Sequence, residues 1–285
     1  MHSQKSSIFK RSGLLLLFLG IFLICSNTIG LYYFRTVEPS DPFVTNPTDR
    51  KLSADEFWEK IAIEQPLGAQ QYAERLTQAI SERILFVPTE YAQLLHPTFF
   101  ENWIIWLYSL NSTYYQWIDP EKAIRLGGGM CSQCAIIFNK IMNSKGYSSV
   151  ILRLNGHVLN EVVVDGKLLV YDADFNINFN KTLQKLADDP ELLHRAYIQR
   201  GVTEEDANTF TQAFVTMEDN SRIRFADKYA AAGTMQHIIE PASFYLIWII
   251  PIFSILLGLK ILSSPAAAKP ESGHQFLSTQ KISAR

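Results

Sequence analysis

Two long uncharged apolar runs, one toward each end of the chain, limit what this sequence can fold into more than any other feature. Residues 13–34 carry no charge over twenty-two positions, and residues 244–259 carry none over sixteen, with Lys260 following. About 20 apolar residues in helical form match the hydrocarbon thickness of a bilayer. The sequence therefore predicts spanning helices over 13–34 and 242–262. The competing reading of the first run is a cleaved signal peptide, since Lys5, Lys10 and Arg11 form a basic start. The run exceeds the ~7–15 residues of a signal core and no clear small-x-small site follows it. Ile24 before Cys25 also disfavours a lipidated cysteine, so an uncleaved anchor is expected. Pro251 interrupts the second run, which a membrane helix tolerates where neighbours satisfy the freed backbone group. A buried core helix or a re-entrant segment is the alternative there.

Flanking charge orients the spans. Residues 1–12 and the tail from Lys260 together hold seven basic residues and one acid, leaving 19 basic against 27 acidic residues between them, a net charge of −8. Basic flanks stay on the cytoplasmic side. The expectation is a two-pass protein of the cytoplasmic membrane with both termini cytoplasmic (1–12 and 263–285) and an extracytoplasmic domain. The acidic intervening surface argues against a nucleic-acid partner.

Between the spans, residues 35–52 are rich in Pro, Asp, Asn and Thr and read as a linker, so the folded domain is expected over 53–241. Ser53 caps a helix with Asp55 and Glu56 in its first turn, Pro66-Leu67-Gly68 breaks it, and a second helix is expected from Ala69 to Phe86 with Tyr72, Leu76, Ile80 and Ile84 on one stripe. The aromatic stretch from Glu101 to Trp117 reads as core or interfacial packing, with a substrate platform as the alternative. Asp119-Pro120-Glu121 starts a short helix ending at Gly127-Gly128-Gly129. No Lys-Ser/Thr pair follows those glycines, which excludes a phosphate loop.

The chemistry concentrates in residues 127–174. A helix is expected over residues 130–144 with Cys131 in its first turn and Gly146 at its end. Ser149 to Leu154, Val158 to Val164 and Lys167 to Tyr171 read as strands, the last two a hairpin turning at Asp165-Gly166. Residues 175–179 read as a loop, 188–213 as polar helices, and Glu161 as a solvent-facing strand residue. A helix N-terminus lowers a thiol's pKa and makes it nucleophilic. His157 opens the strand that follows, and Asp172 ends the paired strand roughly opposite it. A thiol, an imidazole and an acid in that order are the components of an acyl-transfer site.

Gly129-Met130-Cys131 with Ala135, the helix ending at Gly146, His157-x-x-x-Glu161, and Asp165-Gly166 leading to Tyr171-Asp172-Ala173-Asp174-Phe175 together resemble the core of the transglutaminase-like superfamily. The resemblance implies an α+β, papain-like fold, with helices packed on a small antiparallel sheet and its core within 101–180. It implies Cys131 as nucleophile, His157 as base and Asp172 as orienting acid. Asp174 is the competing orienter, and Gln116 is a candidate oxyanion donor beside the Cys131 backbone N–H. The implied activity is amide or peptide hydrolysis, or acyl transfer, through a thioester on a peptide or protein substrate, with no cofactor and no metal.

Three other readings stay open. The domain could bind a peptide or a partner membrane protein without catalysis. Cys131-x-x-Cys134 could be a redox couple, or a disulfide that silences the nucleophile. Cys131, Cys134 and His157 could hold a metal, although a fourth ligand is not evident.

Overall fold

The computed structural model describes residues 2–38, 52–62, 67–216, 220–226 and 235–264. The linker beyond residue 38, the break at Pro66, residues 227–234 and the basic tail after 264 lie outside the described residues. The chain is a mixed α+β protein with two apolar helices, and it divides into two compact units, residues 1–24 with 249–285 and residues 25–248.

The first unit is helical. It contains most of α1 (His2–Tyr32) and of α10 (Gln236–Ser263), whose apolar stretches Lys10–Tyr32 and Gln236–Ser263 are long enough to cross a membrane. Leu15 and Phe18 are each 67% exposed, and Phe253 65%, so these faces do not pack into a protein core. The helices meet through small residues: a Cβ on Gly20 would stand 2.6 Å from the Pro251 carbonyl oxygen, and one on Gly258 2.7 Å from that of Gly13. Such close approach is how helices associate where lipid replaces water.

The second unit holds the sheet. α2 (Ala54–Ile61) starts at Ser53, whose hydroxyl accepts from the Glu56 N–H while the Glu56 carboxylate accepts from the Ser53 N–H. α3 (Ala69–Arg83) buries Tyr72, Leu76 and Ile80. It stops three residues earlier than the sequence predicts, because Ile84 turns extended and β1 (Leu85–Phe86) pairs in parallel with β2 (Gly128–Gly129). A 3-10 segment (Thr89–Leu95) leads to α4 (Phe99–Ser109), which is interrupted at Asn102. The rest of the aromatic stretch is a non-helical strap with Tyr115 and Trp117 buried. α5 (Pro120–Leu126) is capped by Asp119 and ends on Gly127 at φ 71°. α6 (Cys131–Ser144) follows directly.

A five-stranded antiparallel sheet comprises β3 (Ser149–Leu154), β4 (His157–Val164), β5 (Lys167–Asp172), β6 (Ile177–Asn178) and β7 (Ser221–Ile223), in the order β6-β5-β4-β3-β7. Side chains alternate between its faces. Ile151, Val158, Val162 and Tyr171 lie among the residues packed with α6, whereas Leu152, Leu154, Leu159 and Val170 join α7 (Leu183–Ala187), α8 (Pro190–Ile198) and α9 (Glu204–Thr216).

Three readings are corrected here. The expected loop over 175–179 contains β6, since Tyr171 and Asp172 pair with Asn178 and Ile177. The polar helices carry a buried face of Leu193, Tyr197, Ala207 and Phe214. Glu161 is 1% exposed rather than solvent-facing, because β7 brings Arg222 to it, with Nη2 donating over 3.0 Å. Burial of that carboxylate is matched by a two-pronged guanidinium, the geometry that best offsets its desolvation.

Candidate active site

Cys131 is the first helical residue of α6, and Met130 before it supplies no side-chain cap. The first N–H groups of the helix are therefore not taken up by a capping side chain. What seats this turn is close packing on its N-terminal side. A Cβ on Gly129 would stand 2.7 Å from the Gln133 Cβ, and one on Gly128 2.8 Å from the Val37 Cγ2, so neither position has room for a side chain. On the other side, the Gln133 amide accepts the Trp117 N–H at 2.8 Å and donates to the Trp117 carbonyl at 2.9 Å.

His157 is the first residue of β4 and Asp172 the last of β5, and both are buried. Extending the register Asn160↔Tyr171 by one places Asp172 across from Leu159. The histidine and the acid are thus diagonal neighbours on one face rather than directly opposed. His157 Nε2 lies 2.7 Å from Asp172 Oδ2. The same oxygen accepts the Tyr197 hydroxyl at 3.0 Å, and Asp172 Oδ1 accepts the N–H groups of Asp174 at 3.1 Å and Phe175 at 3.4 Å.

The imidazole sits in an aromatic box. Phe210 stacks on it with centroids 4.6 Å apart, and Phe175 and Tyr197 pack at 5.7 and 6.1 Å. Burial works against a charged ring. The charge and hydrogen bond of Asp172, joined by Cys131, outweigh that and hold the His157 pKa well above its usual value. Cys131 Sγ, a His157 ring nitrogen and an Asp174 carboxylate oxygen lie within 4.8 Å of one another. All three residues line a cleft of about 620 Å³ bounded also by Phe86, Arg200 and Phe210.

Asp174 stands apart from Asp172. Its Oδ1 faces the Cys134 thiol at 3.7 Å, and its Oδ2 has no hydrogen-bond partner. Burial, then the Asp172 charge, push its pKa up to about 7, with His157 opposing. Cys134 is a free thiol packed inside, and burial first, then Asp174 and Cys131, raise its pKa well above the ordinary value. Among the described residues, Cys131, His157 and Asp174 offer a thiol, an imidazole and a carboxylate that could hold a metal such as zinc. Asp174 replaces the Cys134 of the sequence reading.

Gln116 is 1% exposed and its amide donates to the Ser132 hydroxyl, one residue from the thiol, and it does not line the cleft. The buried aromatics of the strap do not line it either. Sequence reasoning missed Tyr197 and Phe210. Their spacing in α8 and α9, Leu193 with Tyr197 and Ala207 with Phe210 and Phe214, marks a buried helical face, but nothing in it says which strand residue that face meets.

No protein-family model, no curated protein and no solved structure matches the chain.

Proposed function

We propose that this chain is a membrane-anchored cysteine enzyme of the transglutaminase-like type, hydrolysing an amide or peptide bond outside the cytoplasmic membrane. One observation carries the reading: His157 is fixed by Asp172 at 2.7 Å while presenting a ring nitrogen within 4.8 Å of the Cys131 sulfur, in an open cleft. With Nε2 engaged by Asp172, Nδ1 is left to exchange a proton with the thiol.

The thiol gives its proton to His157, and the thiolate attacks the carbonyl carbon, forming a C–S bond. The N-terminal N–H groups of α6 stabilise the oxyanion. His157 returns the proton to the leaving nitrogen as the C–N bond breaks, which leaves a thioester. Water, deprotonated by the same imidazole, attacks that carbonyl, and the C–S bond breaks to release the acid and restore the thiol. Water is taken as the acceptor because hydrolysis needs no second bound substrate. A transglutaminase-like fold agrees with a helix bearing the cysteine laid on an antiparallel sheet bearing the histidine and the acid.

Alkylation of the intact protein with iodoacetamide tests this reading. Cys131 in the native chain should react faster than in urea, Cys131→Ala should abolish labelling at that site, and His157→Ala should slow it by about 10²-fold or more. Native reactivity no greater than that of the unfolded chain would leave a non-catalytic binding domain as the better reading. In the proposed topology both termini are cytoplasmic, and a reporter fused after Arg285 should be active only inside the cell.

A further inference from the structure

The chemistry at Cys131 leaves two buried acids unused among the described residues: Glu161, which Arg222 pairs, and Glu240, one turn into the second apolar helix and 2% exposed. A lone carboxylate there is costly unless it is fully bonded. Glu240 is. Its Oε2 accepts the Tyr115 hydroxyl at 2.8 Å, the Ile118 N–H at 3.2 Å and the Gln236 amide at 3.1 Å, and its Oε1 accepts the Asp119 N–H at 2.7 Å. Four donors converge on one side chain, three of them from the strap of residues 115–119. Gln236 adds a fifth tie by donating to the Gln116 carbonyl at 2.6 Å.

The other edge of that strap holds the nucleophile's turn. The Gln116 amide donates to Ser132, and Trp117 exchanges two backbone hydrogen bonds with the Gln133 side chain. Ser132 and Gln133 are the two residues after Cys131. The strap has no regular secondary structure of its own, so its position is set by what it is tied to on each side. On one side that is the start of α10, and on the other the first turn of α6.

We infer that Glu240 is a positioning residue for Cys131, coupling the seat of the second membrane helix to the reactivity of the thiol through residues 115–119. The inference rests on the reading of Cys131 as nucleophile. It gives the helix a role beyond anchoring: a partner or a change of bilayer that displaces the start of α10 would pull the strap and move the first turn of α6.

The test uses the full chain in nanodiscs, with Glu240→Ala, Glu240→Gln and a control, Tyr147→Phe, which removes a part-buried hydroxyl bond of 2.7 Å to the Leu67 carbonyl elsewhere in the domain. Two quantities are read: the rate of Cys131 alkylation, and amide exchange over residues 115–119 and 131–134. Glu240→Ala is expected to slow alkylation by about tenfold or more, since displacement of a reacting group by ~1 Å can cost about 10²-fold. Exchange should rise in both segments. Glu240→Gln should fall between alanine and wild type, because its amide keeps one acceptor oxygen but turns an NH2 toward groups that all donate. Tyr147→Phe should change neither quantity. If Glu240→Ala does not fold, the glutamine variant carries the comparison alone. Folded variants with wild-type alkylation and wild-type exchange at 131–134 would overturn the coupling. If wild-type Cys131 shows no native reactivity, the nucleophile reading fails separately and exchange decides: a rise at 115–119 without one at 131–134 rejects the coupling, and a rise in both upholds it.

Discussion

Asp172 and Asp174 stand two residues apart at the end of the same hairpin, and the cleft treats them in opposite ways. Asp172 is wholly buried yet receives His157, the Tyr197 hydroxyl and two backbone N–H groups. Asp174 shares the neighbourhood and has one weak thiol contact and an unpartnered oxygen. Hydrogen-bond donors, not depth, distinguish the two carboxylates. Of the two, Asp172 is the one that hydrogen-bonds the His157 ring.

The sharpest way to break this comparison is to exchange the acids for amides one at a time. Asp172→Asn removes the acceptor that fixes the His157 tautomer, and Cys131-dependent turnover should drop by about 10³- to 10⁴-fold, against no more than about tenfold for Asp174→Asn. Similar losses from the two would mean that Asp174 shares the orienting work. The next largest effect concerns support of Asp172. Tyr197→Phe deletes one of its donors and should lower unfolding stability by about 1–2 kcal/mol with the aromatic box retained, measured by urea denaturation.

The smallest expected effect is a pH dependence. Folding raises the Asp174 pKa from 3.8 to about 7, so the folded state holds this proton more tightly than the unfolded chain does. The stabilisation linked to that proton is full below 3.8 and is lost as pH rises toward about 7. Wild type should therefore lose thermal stability relative to Asp174→Asn across that window. Parallel curves for the two proteins would show that Asp174 is solvated after all.

The hairpin and the cysteine helix were legible in the sequence because each is written locally. Asp165-Gly166 closes the turn, β-branched residues flank it, and glycines precede Cys131. The diagonal placement of His157 and Asp172 was not legible, because a turn motif constrains register only to within the residues that pair around it. Glu161 was misplaced for another reason: alternation assigns a polar residue to solvent, and only the edge strand at Arg222, sixty-one residues on, reverses that assignment. Ile84 likewise continues the helical stripe of α3 in sequence, and only pairing with Gly128–Gly129 takes its successors out of the helix. The box around His157 depended on how α8 and α9 dock, which no local pattern encodes.

The two outer strands of the sheet have a consequence for how the chain keeps from joining others. β6 spans two residues and β7 three, and Arg222 in the latter is tied to Glu161 across β3. Open strand edges are templates on which other chains can add strands, and short, charged edges deny them the run of free N–H and C=O groups they need. These blunted margins let the long central strands stay apolar without inviting aggregation.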